Sequence, residues 1–158
     1  MISAARRDGV RMEFCLKFLV PSDPRFLAVV RAPVAELGAV YGLPEEESYR
    51  ITLAVDEAVA NVIRHAYHGE PERPIELTCT GFDDRLEFTL FDQGDPPDPA
   101  WIQAQPLDDQ ALGGRGTHLI RMIMDEVIYE RVPGGNRLRL SKRLHTSGTG
   151  TLQQGNDT

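Results

Sequence analysis

Two rhythms of apolar and polar residues divide the chain. Ile75, Leu77 and Cys79 alternate with Glu76, Thr78 and Thr80, and Leu86, Phe88 and Leu90 alternate with Glu87 and Thr89. A period of two is that of half-buried strands, and Gly81-Phe-Asp-Asp84 joins the pair as a hairpin. Residues 13–20 read as a further strand, and strands near 126–132 and 137–142, joined by Pro133-Gly-Gly-Asn136, close the sequence. The second rhythm is helical. Pro21-Ser-Asp-Pro24 offers an N-cap and a first-turn proline for a helix running to about residue 41, which Gly42 is placed to end. Pro44 followed by Glu45, Glu46 and Glu47 opens the next, where acids favour the N-terminus. In it Ile51, Val55, Ala58, Val59, Val62 and Ala66 recur at helical spacing, while Glu57, Asn61, Arg64, His65 and His68 occupy another face. A third helix is expected over about 117–124. Between residues 92 and 112 periodicity vanishes and prolines stand at 96, 97, 99 and 106, which predicts a functional lid or mobile loop.

At 158 residues, 41% of them hydrophobic, the chain supports one well-buried core and is too short for two ordinary ones. One domain is therefore expected over 12–144, between a flexible N-terminal arm (1–11) and a polar, disordered tail (145–158); Met12 is a second candidate start. The net charge of −7 comes without a Lys/Arg cluster, which argues against direct nucleic-acid binding. No apolar run approaches the roughly 20 residues that span a bilayer, so no membrane partner is expected. Cys15 and Cys79 lack paired metal spacing and read as reduced core residues of a cytoplasmic protein.

Three fragments carry candidate chemistry. Glu57 and Asn61 are four positions apart, about 6 Å of helical rise, so a carboxylate and a carboxamide project side by side: a base next to a cation ligand, or a solvated helix face. Phe91-Asp92-Gln93-Gly94-Asp95 puts an acid at the exit of a buried strand. Asp92 can accept from an exocyclic amine while Gly94 lets the backbone pass close to a planar ligand; the fragment also fits a plain Asp-x-Gly turn. Gly113-Gly-Arg-Gly-Thr-His118 runs glycines into a helix, leaving backbone N–H groups for an anion such as a phosphate chain, or forming a hinge.

The order of these fragments, Glu-x-x-x-Asn on a helix, Asp-x-Gly after a strand, Gly-x-Gly before a helix, resembles the N, G1 and G2 boxes of the GHKL ATPase superfamily. The wording is closest to the bacterial anti-sigma factor serine/threonine-protein kinases, in Asp56-Glu57-Ala-Val-Ala-Asn61 with His65-Ala-Tyr67, and in Gly114-Arg-Gly116 with Leu119-Ile120 and Met124-Asp-Glu-Val127. The resemblance implies an α/β fold, a two-layer sandwich of the GHKL (Bergerat) ATPase type, with a mixed sheet and helices on one face. It implies ATP and Mg2+ as cofactors, with Asn61 the magnesium ligand and Glu57 the catalytic base. Asp92 would read adenine and Gly94 give it room, and Gly114, Arg115, Gly116 and Thr117 would cradle phosphates, with Asn136 a further nucleotide contact. The partners implied are a sigma factor, an anti-anti-sigma (STAS-type) protein that receives the phosphate, and a second copy in a homodimer.

Three departures from the family pattern stand out. Thr117-His118 replaces a Leu and an apolar residue, Gly135-Asn136 replaces Gly-Thr, and Asp95-Pro-Pro-Asp-Pro99 replaces a glycine-containing continuation of the G1 box. They leave open a second reading, a non-catalytic ATP-binding or partner-binding regulatory module of the same fold.

Overall fold

The strand alternation and the helical stripes give each element one apolar surface, and the chain buries these against each other as a helical layer on a sheet. The computed structural model describes residues 6–7, 9–99 and 115–145. Strands β1 (Arg6–Arg7) and β2 (Val10–Pro21) lead through a 3-10 turn, Pro24–Phe26, into helices α1 (Leu27–Val40) and α2 (Glu45–Asn61). A π-helical turn, Val62–Ala66, extends α2. Strands β3 (Pro74–Phe82) and β4 (Arg85–Asp92), helix α3 (Arg115–Ile123), and strands β5 (Glu126–Val132) and β6 (Gly135–Arg143) follow. The start signals work as expected. Asp23 caps the turn by accepting from the Arg25 N–H at 2.9 Å, Pro24 opens it, and three glutamates occupy the first turn of α2.

The sheet runs in the order β1-β2-β3-β4-β6-β5. The expectation of a mixed sheet is corrected here, because every neighbouring pair is antiparallel. The connections explain this. Two helices lie between β2 and β3, so the chain returns to the end it left and β3 must run back alongside β2. The crossover through α3 does link two strands of the same direction, β4 and β5, but β6 inserts between them and is antiparallel to both. The arm expected over 1–11 also differs at its inner end, where Arg6 pairs with Arg11 and Arg7 with Val10. The expected tail lies, after residue 145, outside the described residues.

Register decides which face is buried. Leu77, Leu90 and Leu138 stand abreast on three strands, and so do Cys79, Phe88 and Leu140, all at most 6% exposed. Against this face lie Val30, Val34 and Leu37 of α1 and Ile51, Ala54, Val55, Ala58 and Val59 of α2. Helix α2 packs against both α1 and α3, and Arg31 of α1 clamps Asp56 of α2 with two hydrogen bonds of 2.8 and 3.0 Å. The opposite sheet face is polar, with Lys17 paired to Glu76 at 2.8 Å. Cys79 belongs to the core as expected, and burial pushes its thiol up to about 12. Cys15 does not, because it faces Thr80 across the ladder on the polar side and is exposed. Among the described residues no helix is long and apolar enough to cross a membrane.

Phe88→Ala, which empties the centre of the core, is expected to lower the unfolding free energy by about 3–5 kcal/mol. Lys17→Ala, on the polar face, is expected to cost less than about 1 kcal/mol. Urea denaturation of both variants checks the assignment of faces.

Candidate nucleotide site

Glu57 and Asn61 leave α2 from the face beside its buried stripe, and both are partly exposed. One side chain ties them together. The Arg64 guanidinium donates from a single nitrogen, Nη2, to Glu57 Oε1 at 2.6 Å and to Asn61 Oδ1 at 2.9 Å. Arg64 lies in the π-helical turn, seven residues beyond Glu57, close to two full turns, so its long side chain reaches back along the same face. The helical pattern put Arg64 on the same face as Glu57 and Asn61 without giving it a contact. Its position over both functional groups was legible in the i, i+3 and i, i+7 spacing.

The wide turn shapes the next part of the site, as π-helical turns often do at functional positions. Its carbonyls accept from outside the α-helical pattern: Val62 from the Tyr67 N–H, Ile63 from Gly69, and Ala66 from Asp95 at 3.0 Å. The last bond draws the segment after β4 against the helix. Gly94 fits there because it has no side chain, since a Cβ would collide with the Ala66 carbonyl. Tyr67, 1% exposed, clamps the same segment by donating to the Pro74 carbonyl at 2.6 Å and accepting from the Gln93 N–H at 2.8 Å. Sequence reasoning noticed Tyr67 only as part of a trailing motif and missed this role. His65, an exposed residue at the cleft, has its pKa lowered by partial desolvation and then by the neighbouring Arg64 charge, which favours the neutral imidazole.

Asp92 ends β4 with 6% exposure. Its Oδ1 accepts from the Gly94 N–H at 2.9 Å and from Asn136 Nδ2 at 2.8 Å. Burial is the largest influence on its carboxyl and raises the pKa, against the downward pull of Asn136, Gly94 and the Arg131 charge. Asn136 is paired with Asp92 in the β4–β6 register. Arg131 donates to its Oδ1 at 2.6 Å, and because arginine cannot accept, the amide is turned so that Nδ2 faces Asp92 and the carbonyls of Gly94 and Asp95. Asn136, expected as a nucleotide contact, lines the cleft beside Asp92, and its amide also braces Asp92 and its loop.

These groups surround a small cleft open to solvent. Ala58, Val62 and Ala66 line the helical side, Tyr129 and Leu138 the sheet side, and Asp92 and Asn61 supply polar atoms. Apolar walls with a buried carboxylate suit a flat heterocycle bearing an amino group.

Glu57 sits beside the cleft, where the first turn of α3 meets it. A Cβ on Gly116 would run into the Glu57 carboxylate, so the glycine allows the α3 backbone to touch the acid. The positive end of that helix favours the negative charge. Thr117 is buried, at 7% exposure. Gly114, the Arg115 side chain and most of the expected lid lie outside the described residues. Among the described residues no group of three or more His, Cys, Asp and Glu is placed to hold a metal ion. A cation at Asn61 would therefore draw its other ligands from a bound molecule and water. The residues present fit one, because the Asn61 and Glu57 oxygens already hold a guanidinium between them.

Comparison with known proteins places this geometry. The model of the histidine kinase-like ATPase domain matches residues 20–142. A serine-protein kinase RsbW of Bacillus velezensis is 28% identical over 120 residues, covering 71% of this chain and 75% of the relative. The Bacillus subtilis protein of that name is 27% identical over 127 residues, with coverages of 75% and 79%. That of Halalkalibacterium halodurans is 30% identical over 120 residues, with coverages of 71% and 73%. Among solved structures, the histidine kinase domain from the blue-light activated histidine kinase of Erythrobacter litoralis EL346 superposes on 79% of this chain with a TM-score of 0.53 at 18% identity, a likeness of fold. The chain spans 62% of that structure's length.

Asp92 yields a prediction in which sign matters. Its folded pKa is raised, so the folded state binds more protons than the unfolded state between the ordinary carboxylate value and the raised one, and stability falls as pH rises through that window. Asp92→Asn keeps an acceptor for Gly94 and Asn136 without the charge. It is expected to be at least as stable as the parent at pH 7, with the difference closing on acidification through the window. Paired urea titrations across pH check this; a variant that is less stable at pH 7 would assign Asp92 a net stabilising charge instead.

Proposed function

The chain belongs to the histidine kinase-like ATPase domain family, and from that footing we propose that it is a protein serine/threonine kinase and anti-sigma factor. It binds ATP with Mg2+, holds a sigma factor inactive, and phosphorylates an anti-anti-sigma (STAS-type) protein. The observation that carries this reading is the pairing of Glu57 and Asn61, one helical turn apart, beside a cleft whose far wall holds the buried carboxylate of Asp92. In this reading adenine enters between Ala58, Val62 and Leu138 and its amino group donates to Asp92. The phosphates extend past Asn61 toward the start of α3, to the backbone of Gly114, Arg115, Gly116 and Thr117.

Asn61 would hold a magnesium ion, which would supply charge neutralisation for the triphosphate. The acceptor serine or threonine oxygen attacks the γ-phosphorus, its proton passes to Glu57, and the bond from phosphorus to the β–γ bridging oxygen breaks to release ADP. Arg64 engages Glu57 at Oε1, and in this reading the incoming hydroxyl passes its proton to the other carboxylate oxygen, Oε2.

The surface supports the partner side of the proposal. Apart from Met122, the large apolar side chains exposed among the described residues, including Leu19, Val29, Val40 and Tyr49, lie between Phe14 and Tyr49. A sigma factor docks on this N-terminal half. Among the described residues β1 pairs with the outer edge of β2 at Val10 and Arg11, and in this reading a second copy associates along this edge in a homodimer. At −7 the chain acts on transcription through a cytoplasmic protein partner and not through nucleic acid.

With the antagonist as acceptor, Glu57→Gln is expected to retain nucleotide affinity while phosphoryl transfer falls by roughly 10²- to 10⁴-fold. Transfer at the parental rate would leave the chain's ATP chemistry without its base. Retained ATP and sigma-factor binding with no transfer by the parent protein would instead support the non-catalytic module.

A further inference from the structure

Resting on the nucleotide reading above, we infer that Arg64 is a built-in counter-cation of the site: it holds the base and the metal ligand together in the nucleotide-free protein and yields Asn61 to Mg2+ when the metal–nucleotide complex binds. Three observations carry this. One guanidinium nitrogen serves both Glu57 Oε1 and Asn61 Oδ1, so the oxygen a cation would take is already on a positive charge. The two acceptors belong to the helix that carries Arg64 itself, so the arrangement needs neither partner nor ligand to form. The Arg64 side chain is 53% exposed, against 24% for Glu57, so the guanidinium is free to withdraw toward solvent while the carboxylate stays in place.

Carboxamide oxygens in this position cannot satisfy a guanidinium and a metal ion along the same lone-pair direction. Magnesium demands close, near-octahedral approach at about 2.0–2.1 Å, which excludes an N–H donor crowded onto the same side of Asn61. On metal binding the arginine gives up Asn61 and keeps Glu57. When ATP arrives without metal the guanidinium stays and offers the phosphates a partial substitute for the missing cation. Arg64 is therefore a positioning residue, and its signature lies in how strongly magnesium enhances ATP binding.

The test measures ATP affinity by calorimetry with magnesium and with excess chelator, for the parent protein, Arg64→Gln and Arg64→Lys. The ratio of the two affinities is expected to rise in Arg64→Gln by about two- to fivefold, the scale of one solvent-accessible ion pair. In Arg64→Lys, which keeps the charge, it is expected to stay near the parental value. In parallel, hydrogen exchange at the Arg64 guanidinium, followed by NMR, is expected to quicken with MgATP and not with ATP plus chelator. An unchanged ratio in Arg64→Gln, or a guanidinium signal that MgATP leaves alone while the Asp92 and Gly94 resonances shift, overturns the role of Arg64 and leaves the nucleotide site standing. Failure of the parent protein to bind ATP in either buffer overturns the nucleotide reading and this inference with it.

Discussion

The burial of the apolar stripe of α2 is the constraint from which the rest of the site follows. Ala54, Val55, Ala58 and Val59, each at most 2% exposed, fix the rotation of the helix over the sheet and between α1 and α3. With rotation fixed, the adjacent face has no freedom, and Glu57 and Asn61 must emerge where they do. The small residues matter as much as the apolar ones. Ala58 is both core and cleft wall, so the surface that stabilises the fold is continuous with the surface offered to a ligand. The bidentate Arg31–Asp56 pair lies next to Glu57 in sequence and anchors α2 to α1 from its more exposed side.

A second constraint acts at the end of β4, where a carboxylate is taken out of water. An unpaired buried charge is costly, and Asp92 is held by a designed set of donors: a backbone N–H two residues on, and an amide whose orientation is fixed in turn by Arg131. The same bonds that make the burial tolerable also tie down Gly94 and Asp95, so electrostatic satisfaction and loop geometry are one arrangement. The Tyr67 hydroxyl and the Ala66 carbonyl complete it from the helical side.

Period-two and helical patterns made the elements legible in the sequence. Alternation located β3 and β4, and Pro24, Gly42 and Pro44 with its glutamates marked the helix boundaries. Strand direction was harder to read, because it depends on whether one or two helices lie in a connection and on whether β6 enters between β4 and β5. Local pattern does not encode such insertion. Glu57, Asn61, Asp92 and Gly94 stood out as chemistry, and the structure brings them around one cleft edge. The braces did not stand out: Tyr67 resembles any core aromatic, and the commitment of the Asn136 amide appears only once β6 is in register with β4. Cys15 misled for a related reason, since an apolar edge strand does not announce which of its faces is covered.

The π-helical turn joins these two constraints into one device. A regular α-helix continuing past Asn61 would satisfy its own carbonyls and present a smooth side to β4. The wider turn releases the Ala66 carbonyl to Asp95 and carries Arg64 back over Glu57. The wall of the heterocycle cleft and the guanidinium on the base are thus set by five consecutive residues, Val62–Ala66. Any ligand that presses on Ala66 and Gly94 acts on the same turn that positions Arg64. The lining of the cleft and the placement of the guanidinium on Glu57 therefore depend on the same short backbone irregularity.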